Sequence, residues 1–199
     1  MNFRFVFLIL WSLHSAAYTQ KSEPDFFEDV PIYTSLSEAV KNPLTVRRLS
    51  LVKAKLTQFP KEIFEFENLE ELDLSRNNIR DIPPQIEKLK KLRVLNLSKN
   101  KIESMPEEIG KLKKLVKLDV SRNPLLRLPY ALGECKSLEH LLVWDTNLSD
   151  LPASLNHLEN LKEIDLRVIL FSRQEMQRLS ESFPKIKIHF SGECQCGPY

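Results

Sequence analysis

The feature that most constrains the fold is a sequence repeat with a period of 23 that begins near residue 46. Five prolines recur at this interval, at Pro60, Pro83, Pro106, Pro129 and Pro152. An apolar residue opens each unit at the same interval: Val46, Leu69, Leu92, Leu115, Leu138 and Leu161. A unit of this length cannot bury its own apolar face, so neighbouring units must stack. The sequence therefore predicts a solenoid, and we call each unit one coil, numbered from residue 46.

Each coil combines two kinds of periodicity. In the third coil, Leu95 and Leu97 alternate with other residues, which is typical of a short strand with one buried face. Asn100 follows where the chain turns, and its amide can bond backbone groups that the turn leaves unpaired. Beyond the proline, Ile109 and Leu112 have helix-like spacing. Stacked coils therefore predict a parallel sheet on one side and short helical segments on the other.

These coils resemble leucine-rich repeats in their 23-residue form. The shared pattern is L-x-x-L-x-L-x-x-N-x-I/L-x-x-I/L-P, and it extends over about residues 44–170. The resemblance implies an α/β fold, namely a right-handed leucine-rich-repeat solenoid with a concave parallel β-sheet, short helical convex segments, and helical N- and C-caps. It also implies a repeat domain that binds proteins and has no catalytic role.

The repeat pattern also divides the chain. We predict a signal peptide at 1–19, an extended lead-in at 20–32, the leucine-rich-repeat domain at 33–190 and a flexible tail at 191–199. Within the domain we expect an N-terminal cap at 33–45, repeats at 46–68, 69–91, 92–114, 115–137, 138–160 and 161–171, and a C-terminal cap at 172–190. Two helix capping boxes are predicted in the caps from their S-x-x-E spacing: Ser35 with Glu38, and Ser172 with Glu175.

Residues 1–19 have the three-part pattern of a signal peptide. Arg4 precedes nine almost wholly apolar residues at 5–13, and small residues follow up to Ala17. The apolar run is shorter than the roughly 20 residues that a membrane-spanning helix needs. We expect cleavage after Ala17 or Thr19 and an exported protein (secreted, periplasmic or at the cell surface) whose mature chain has no transmembrane span.

The composition argues against several classes of function. A net charge of +2 is too balanced for a nucleic-acid-binding surface, and the chain has only 4 glycines and no phosphate-binding loop motif. Cys135 occupies an apolar slot of its coil and is interpreted as a buried, inert thiol. Cys194 and Cys196 lie in the tail, where pairing with another chain stays open. We expect no enzyme activity, no cofactor and no metal site.

The repeat frame assigns three columns of side chains to the concave face. The first column is Ser50, Asp73, Asn96, Asp119, Leu142 and Asp165. The second is Val52, Ser75, Ser98, Ser121, Trp144 and Arg167. The third is Lys53, Arg76, Lys99, Arg122, Asp145 and Val168. We interpret the four cations of the third column as largely neutralised by Asp73 and Asp119 in the first.

The fifth coil breaks this column pattern. Leu142 and Trp144 stand where most other coils carry polar residues, and an outward Trp is typical of an interface anchor. The hypothesis is a partner-binding site centred on these two residues. Its flanking residues are His140, Arg122, Lys117 and Arg167. The alternative is that residues 168–171 fold over the pair.

The predicted function is protein–protein interaction, with a partner protein or peptide bound on the concave face of a monomer. Two alternatives stay open. The first is a structural or adhesion module at the cell surface that acts by self-association, with Cys194 and Cys196 as one route. The second applies if residues 1–19 are not a signal peptide. The chain is then an intracellular signalling scaffold similar to the Ras-suppressor type of leucine-rich repeat.

Overall fold

Eight short parallel strands form one sheet and are paired in the order of the sequence. The structure is a computed structural model and describes residues 30–191; the predicted signal peptide, Cys194 and Cys196 lie outside these residues. The strands are β1 (Ile32–Tyr33), β2 (Arg48–Ser50), β3 (Glu71–Asp73), β4 (Val94–Asn96), β5 (Lys117–Asp119), β6 (His140–Leu142), β7 (Glu163–Asp165) and β8 (Lys187–His189). From β2 to β7 each strand residue pairs with the one 23 positions along, so the repeat sets the register.

The convex side consists of 3-10 helices that follow the repeated prolines. They are Lys61–Glu65, Pro84–Lys88, Glu107–Lys111, Tyr130–Glu134 and Ala153–His157, and a shorter one, Pro43–Thr45, lies in the N-terminal cap. In the second coil the Ile86 amide donates to the carbonyl of Pro83 at 3.0 Å, and the Leu89 amide donates to that of Ile86 at 3.1 Å. This three-residue spacing buries both side chains and confirms the predicted helical convex segments.

Three asparagines form a ladder between the strands and the convex side. Asn100 shows the pattern: its Oδ1 accepts the Ile79 amide at 3.0 Å, and its Nδ2 donates to the carbonyls of Leu74 and Leu97 at 3.0 and 2.9 Å. Asn77 and Asn123 make the corresponding bonds in their coils. Each amide therefore joins its own coil to the preceding one with buried hydrogen bonds.

Two α-helices close the ends, and only one predicted capping box forms. In α2 (Arg173–Ser182) the Ser172 hydroxyl accepts the Glu175 amide, and the Glu175 carboxylate accepts the Ser172 amide. In α1 (Leu36–Ala39) the predicted box is wrong, because Ser35 makes no cap bond. Glu38 pairs instead with Lys41 at 2.8 Å. The described residues contain no helix that is both long enough and apolar enough to cross a membrane.

Neighbouring coils are in close contact on the convex side at two glycines. A Cβ added to Gly110 would lie 2.3 Å from the Ala131 carbonyl oxygen, and one added to Gly133 would lie 2.4 Å from that of Ser154. These distances are too short for any side chain, so glycine is required at both positions. Ala131 and Ser154 are themselves small residues. The third, fourth and fifth coils are therefore packed backbone against backbone on this side.

Candidate functional site

The turn that follows each strand places one residue of every coil in the left-handed region. These residues form the third predicted column: Lys53, Arg76, Lys99, Arg122, Asp145 and Val168, with φ between 54° and 66°. Gly and Asn adopt this conformation most easily. The backbone conformation therefore does not favour Lys or Arg at this turn position, yet four successive coils carry one of them there.

Leu142 and Trp144 lie half-buried at the carboxyl end of β6. Neither belongs to the buried core or to the partly buried residues packed against it. In the sheet register, Leu142 stands between Asp119 of β5 and Asp165 of β7. An apolar pair is thus set among polar neighbours on the concave face.

Arg122 is held over the indole ring of Trp144. The guanidinium carbon lies 5.5 Å from the ring centroid, within the range of a cation–π contact. Arg122 Nε also lies 3.4 Å from Asp145 Oδ2 of the next coil. Trp144 therefore contacts a cation of the preceding coil and keeps part of its surface exposed.

The alternative cover for Trp144, residues 168–171, packs elsewhere. Ile169 and Phe171 pack against the core, and the Phe171 ring meets that of Phe190 edge-on at 6.2 Å. Leu170 is 95% exposed, and Val168 is exposed as well. The apolar side chains of residues 168–171 thus face the core or solvent.

Two histidines share one carboxylate beside this apolar pair. His140 Nδ1 lies 2.9 Å from Glu163 Oε1, and His189 Nε2 lies 3.0 Å from Glu163 Oε2. Burial alone would raise the pKa of Glu163, but the hydrogen bonds and charges of the two histidines hold it below the ordinary value. Sequence reasoning placed only His140 on the concave face. It missed Glu163 and His189.

Arg167 and Lys117 accompany two buried or half-buried aspartates. Arg167 donates from Nε and Nη2 to the two Asp165 oxygens at 2.9 and 2.6 Å. Lys117 belongs to β5 and stands in register with His140. Burial raises the pKa of Asp119, more than the hydrogen bond from the Ser121 amide and the charge of Lys117 lower it. All six predicted partner-binding residues thus lie on or directly after β5, β6 and β7.

The four-cation ladder is not paired with the acidic column as predicted. Asp73 accepts the Ser75 amide at 2.8 Å and the Asn96 amide group at 3.0 Å, while Asp119 accepts the Ser121 amide at 2.9 Å. Of the four cations, only Arg122 has an ion-pair partner among residues 30–191, and that partner is Asp145. The two aspartates instead accept hydrogen bonds from the turn backbone, because the short Asp side chain reaches the amide two residues ahead.

Other parts of the described chain have fewer groups that could react or bind a ligand. Cys135 is fully buried, its thiol donates to the Ile109 carbonyl at 3.3 Å, and burial raises its pKa to about 12. Within residues 30–191 no group of three or more His, Cys, Asp or Glu side chains is placed to hold a metal ion. A convex groove of about 430 Å³ lies beside the stacked rings of Phe59 and Phe64, away from the predicted site.

Comparison with known proteins agrees with this architecture. The sequence profile described as Leucine rich repeat matches residues 67–125. The coils of this chain are therefore leucine-rich repeats. A search of curated proteins finds no match.

Solved leucine-rich repeat structures share the fold. A leucine-rich repeat protein of Leptospira interrogans is 28% identical, with a TM-score of 0.61, over 80% of this chain and 46% of that one. The plant peptide hormone receptor RGFR1 in complex with RGF2 is 34% identical, with a TM-score of 0.59, over 71% of this chain and 24% of the receptor. The functional domain of InlJ from Listeria monocytogenes is 19% identical, with a TM-score of 0.54, over 69% of this chain and 28% of that one, and supports the fold alone. The chain spans less than half the length of each of these structures.

Proposed function

We propose that this chain is a non-catalytic protein–protein interaction module whose partner binds the concave face at β5, β6 and β7. The observation that carries the proposal is the pair Leu142 and Trp144, which replaces polar residues in two concave columns and is not packed against the core. Covering a half-exposed Trp and Leu with a partner removes apolar surface from water. That removal is the main favourable term in association.

The surroundings of Trp144 suit a preformed anchor. Arg122 is held by Asp145 on one side and stacks on the indole on the other. A side chain that is already ordered loses less conformational entropy when the partner binds. Arg167 with Asp165, and His140 with Glu163, surround the apolar pair with polar groups. An apolar centre with a polar rim is the usual anatomy of an interface.

The size of the face favours a peptide, a loop or a small domain. Eight strands at roughly 4.8 Å spacing give a sheet about 34 Å across, and the apolar pair occupies one coil of it. This is compatible with an interface at or below about 800 Å² per partner. A solved receptor 34% identical to this chain is a peptide hormone receptor in complex with RGF2, which supports a partner of peptide size.

We also propose that the protein is exported. The support is the basic, apolar and small-residue pattern of residues 1–19. The module would then meet its partner outside the cytoplasm. Mass spectrometry of the protein recovered from the producing cell tests this directly, because a mature chain that begins after Ala17 or Thr19 is expected and one that retains Met1 overturns it.

The test of the binding site is the variant Trp144→Ala. Partners captured by the immobilised full-length chain are identified and purified, and their affinity is then measured by calorimetry. Loss of a buried Trp anchor is expected to cost about 2 kcal/mol or more, which is roughly a 30-fold weaker Kd. The matched control is Tyr130→Ala, which removes an exposed aromatic residue from the convex side.

The two variants separate the possible outcomes. A partner that binds Trp144→Ala as tightly as wild type, or that is lost with Tyr130→Ala, contradicts the proposed site. A fall in the melting temperature of Trp144→Ala that accompanies lost binding would assign the residue to stability. Sedimentation of wild type addresses self-association, because a dimer abolished by Trp144→Ala would make a second copy of the chain the partner.

A further inference from the structure

Three cations stand in one line on the concave side, in successive coils before Leu142 and Trp144, which we call the Trp144 patch. Lys53, Arg76 and Lys99 occupy the same left-handed turn position of the first three coils, and we call them the cation row. Adjacent strands of a sheet lie about 4.8 Å apart. From Lys53 to Arg122, three such steps give a line about 14 Å long.

The cation row has no negative partner within the described chain. None of its three side chains makes an ion pair or a hydrogen bond with another of residues 30–191. The pKa of Lys99 is lowered by burial and by the positive charges of Arg76, Arg122 and Lys53. The charged groups that shift the pKa of Lys99 are thus all cations, and they come from the first, second and fourth coils.

The nearest acidic column is committed to other bonds. Asp73 accepts the Ser75 amide and the Asn96 side chain, and Asp119 accepts the Ser121 amide. These bonds hold both carboxylates against the turn backbone. Like charges at neighbouring positions cost free energy unless an anion lies among them. The three cations in line therefore form a surface on which an acidic ligand reduces the repulsion between like charges.

We propose that the cation row binds an acidic, extended segment of the partner that Trp144 anchors. The total length of the line, rather than its individual spacing, fits a peptide strand. Alternate residues of an extended chain lie about 6.8 Å apart on one face, so three alternating carboxylates span about 14 Å, which is the distance from Lys53 to Arg122. The cations themselves stand about 4.8 Å apart, and their long, flexible side chains take up the difference. The row also leads directly through Arg122 into Trp144. The proposed segment thus carries acidic residues at alternate positions. About one coil further along the face it carries an apolar residue, which contacts Trp144.

This inference rests on the proposed function for its partner but is tested separately from it. The probe is a fluorescein-labelled peptide of four Glu-Ser repeats, which has no apolar residue to occupy the Trp144 patch. Its binding to the full-length chain is followed by fluorescence anisotropy at low and at physiological ionic strength. We expect binding that weakens with salt, since Lys53, Arg76 and the carboxylates of the peptide are exposed.

The decisive variant removes two charges of the row, as Arg76→Gln with Lys99→Gln. Two lost ion pairs of ordinary surface strength are expected to weaken peptide binding about ten-fold. The matched control removes two exposed lysines elsewhere, as Lys90→Gln with Lys114→Gln, and has the same net charge. Circular dichroism melting checks that both double variants remain folded.

The outcomes distinguish this inference from the proposed function. Binding that is lost in the row variant, kept in the control and unchanged in Trp144→Ala supports the row as an acidic-peptide site. Absence of binding, or equal weakening in both double variants, overturns it, whatever partner Trp144 binds. A heparin oligosaccharide that binds in a row-dependent manner while the peptide does not also overturns it, because the ligand is then a glycan.

Discussion

The asparagine ladder gives the sharpest quantitative expectation, and Asn100→Ala tests it. Asn100 is 8% exposed, and its side-chain amide bonds the Ile79 amide and the carbonyls of Leu74 and Leu97. Alanine removes these three bonds, together with a longer one from Nδ2 to the Ser98 carbonyl at 3.4 Å, and adds none. An unsatisfied buried polar group costs about 1–3 kcal/mol. The variant should therefore lose about 3 kcal/mol or more, a large share of the roughly 5–15 kcal/mol typical of a folded domain.

The loss is measured by urea denaturation followed by circular dichroism. Asn147→Ala is the matched control, because Asn147 is exposed, and a change within about 0.5 kcal/mol is expected for it. A third variant, Asn100→Thr, copies the fifth coil, where the Thr146 hydroxyl donates to the Val143 carbonyl at 2.7 Å. It retains one donor and should lose less than Asn100→Ala.

Loss of the Asn100 side chain should also have a local effect on the Ile79 amide. In Asn100→Ala the Ile79 amide loses its acceptor, so its hydrogen exchange should accelerate more than that of amides in the fifth coil. If Asn100→Ala costs less than about 1 kcal/mol, or no more than Asn147→Ala, the ladder is not a major source of stability. The reasoning from buried amides is then refuted.

Two further predictions concern packing and pH. Gly133→Ala should destabilise the fold by about 1–3 kcal/mol in urea denaturation, because the new Cβ meets the Ser154 carbonyl oxygen, which no rotamer change can move; an unchanged midpoint would contradict this. The pKa of Glu163 is depressed in the fold, so its stabilising effect is present above the unfolded value of about 4.3 and is lost as the pH falls through the folded value. The difference in melting temperature between wild type and Glu163→Gln should thus shrink as the pH falls from about 5 to about 3, and a difference that widens over that range would contradict the assignment.

The repeat frame predicted the backbone of the solenoid well because each apolar slot has one role. Leu95 and Ile109 were assigned inward from spacing alone, and both are 0% exposed. The same frame placed Leu142 and Trp144 on the concave face. It worked there because the repeat also sets strand register, and the offset between paired residues stays the same from β2 to β7.

The repeat frame predicted less where the repeat ends, and where side-chain conformation determines which partner a charged residue contacts. β8 follows α2, and Asp165 pairs with His189, one position further along than the repeat offset would place its partner. The contact of His189 with Glu163 could therefore not be read from the repeat. Ion pairs were also missed, because Asp73 bonds the turn backbone rather than the cation row. The two S-x-x-E sequences had the same spacing, yet Glu38 paired with Lys41 and only Glu175 turned back to its serine.

The close approach of coils at Gly110 and Gly133 has a consequence for the opposite side of the molecule. Strand spacing is fixed by hydrogen bonds on the concave side, so the curvature of a solenoid depends on how far apart the convex segments stand. Backbone contact at these glycines lets the convex segments of the third to fifth coils stand close together, and these coils carry Lys99, Arg122 and Trp144. The two glycines on the convex side thus help to set the curvature of the concave surface that a ligand contacts.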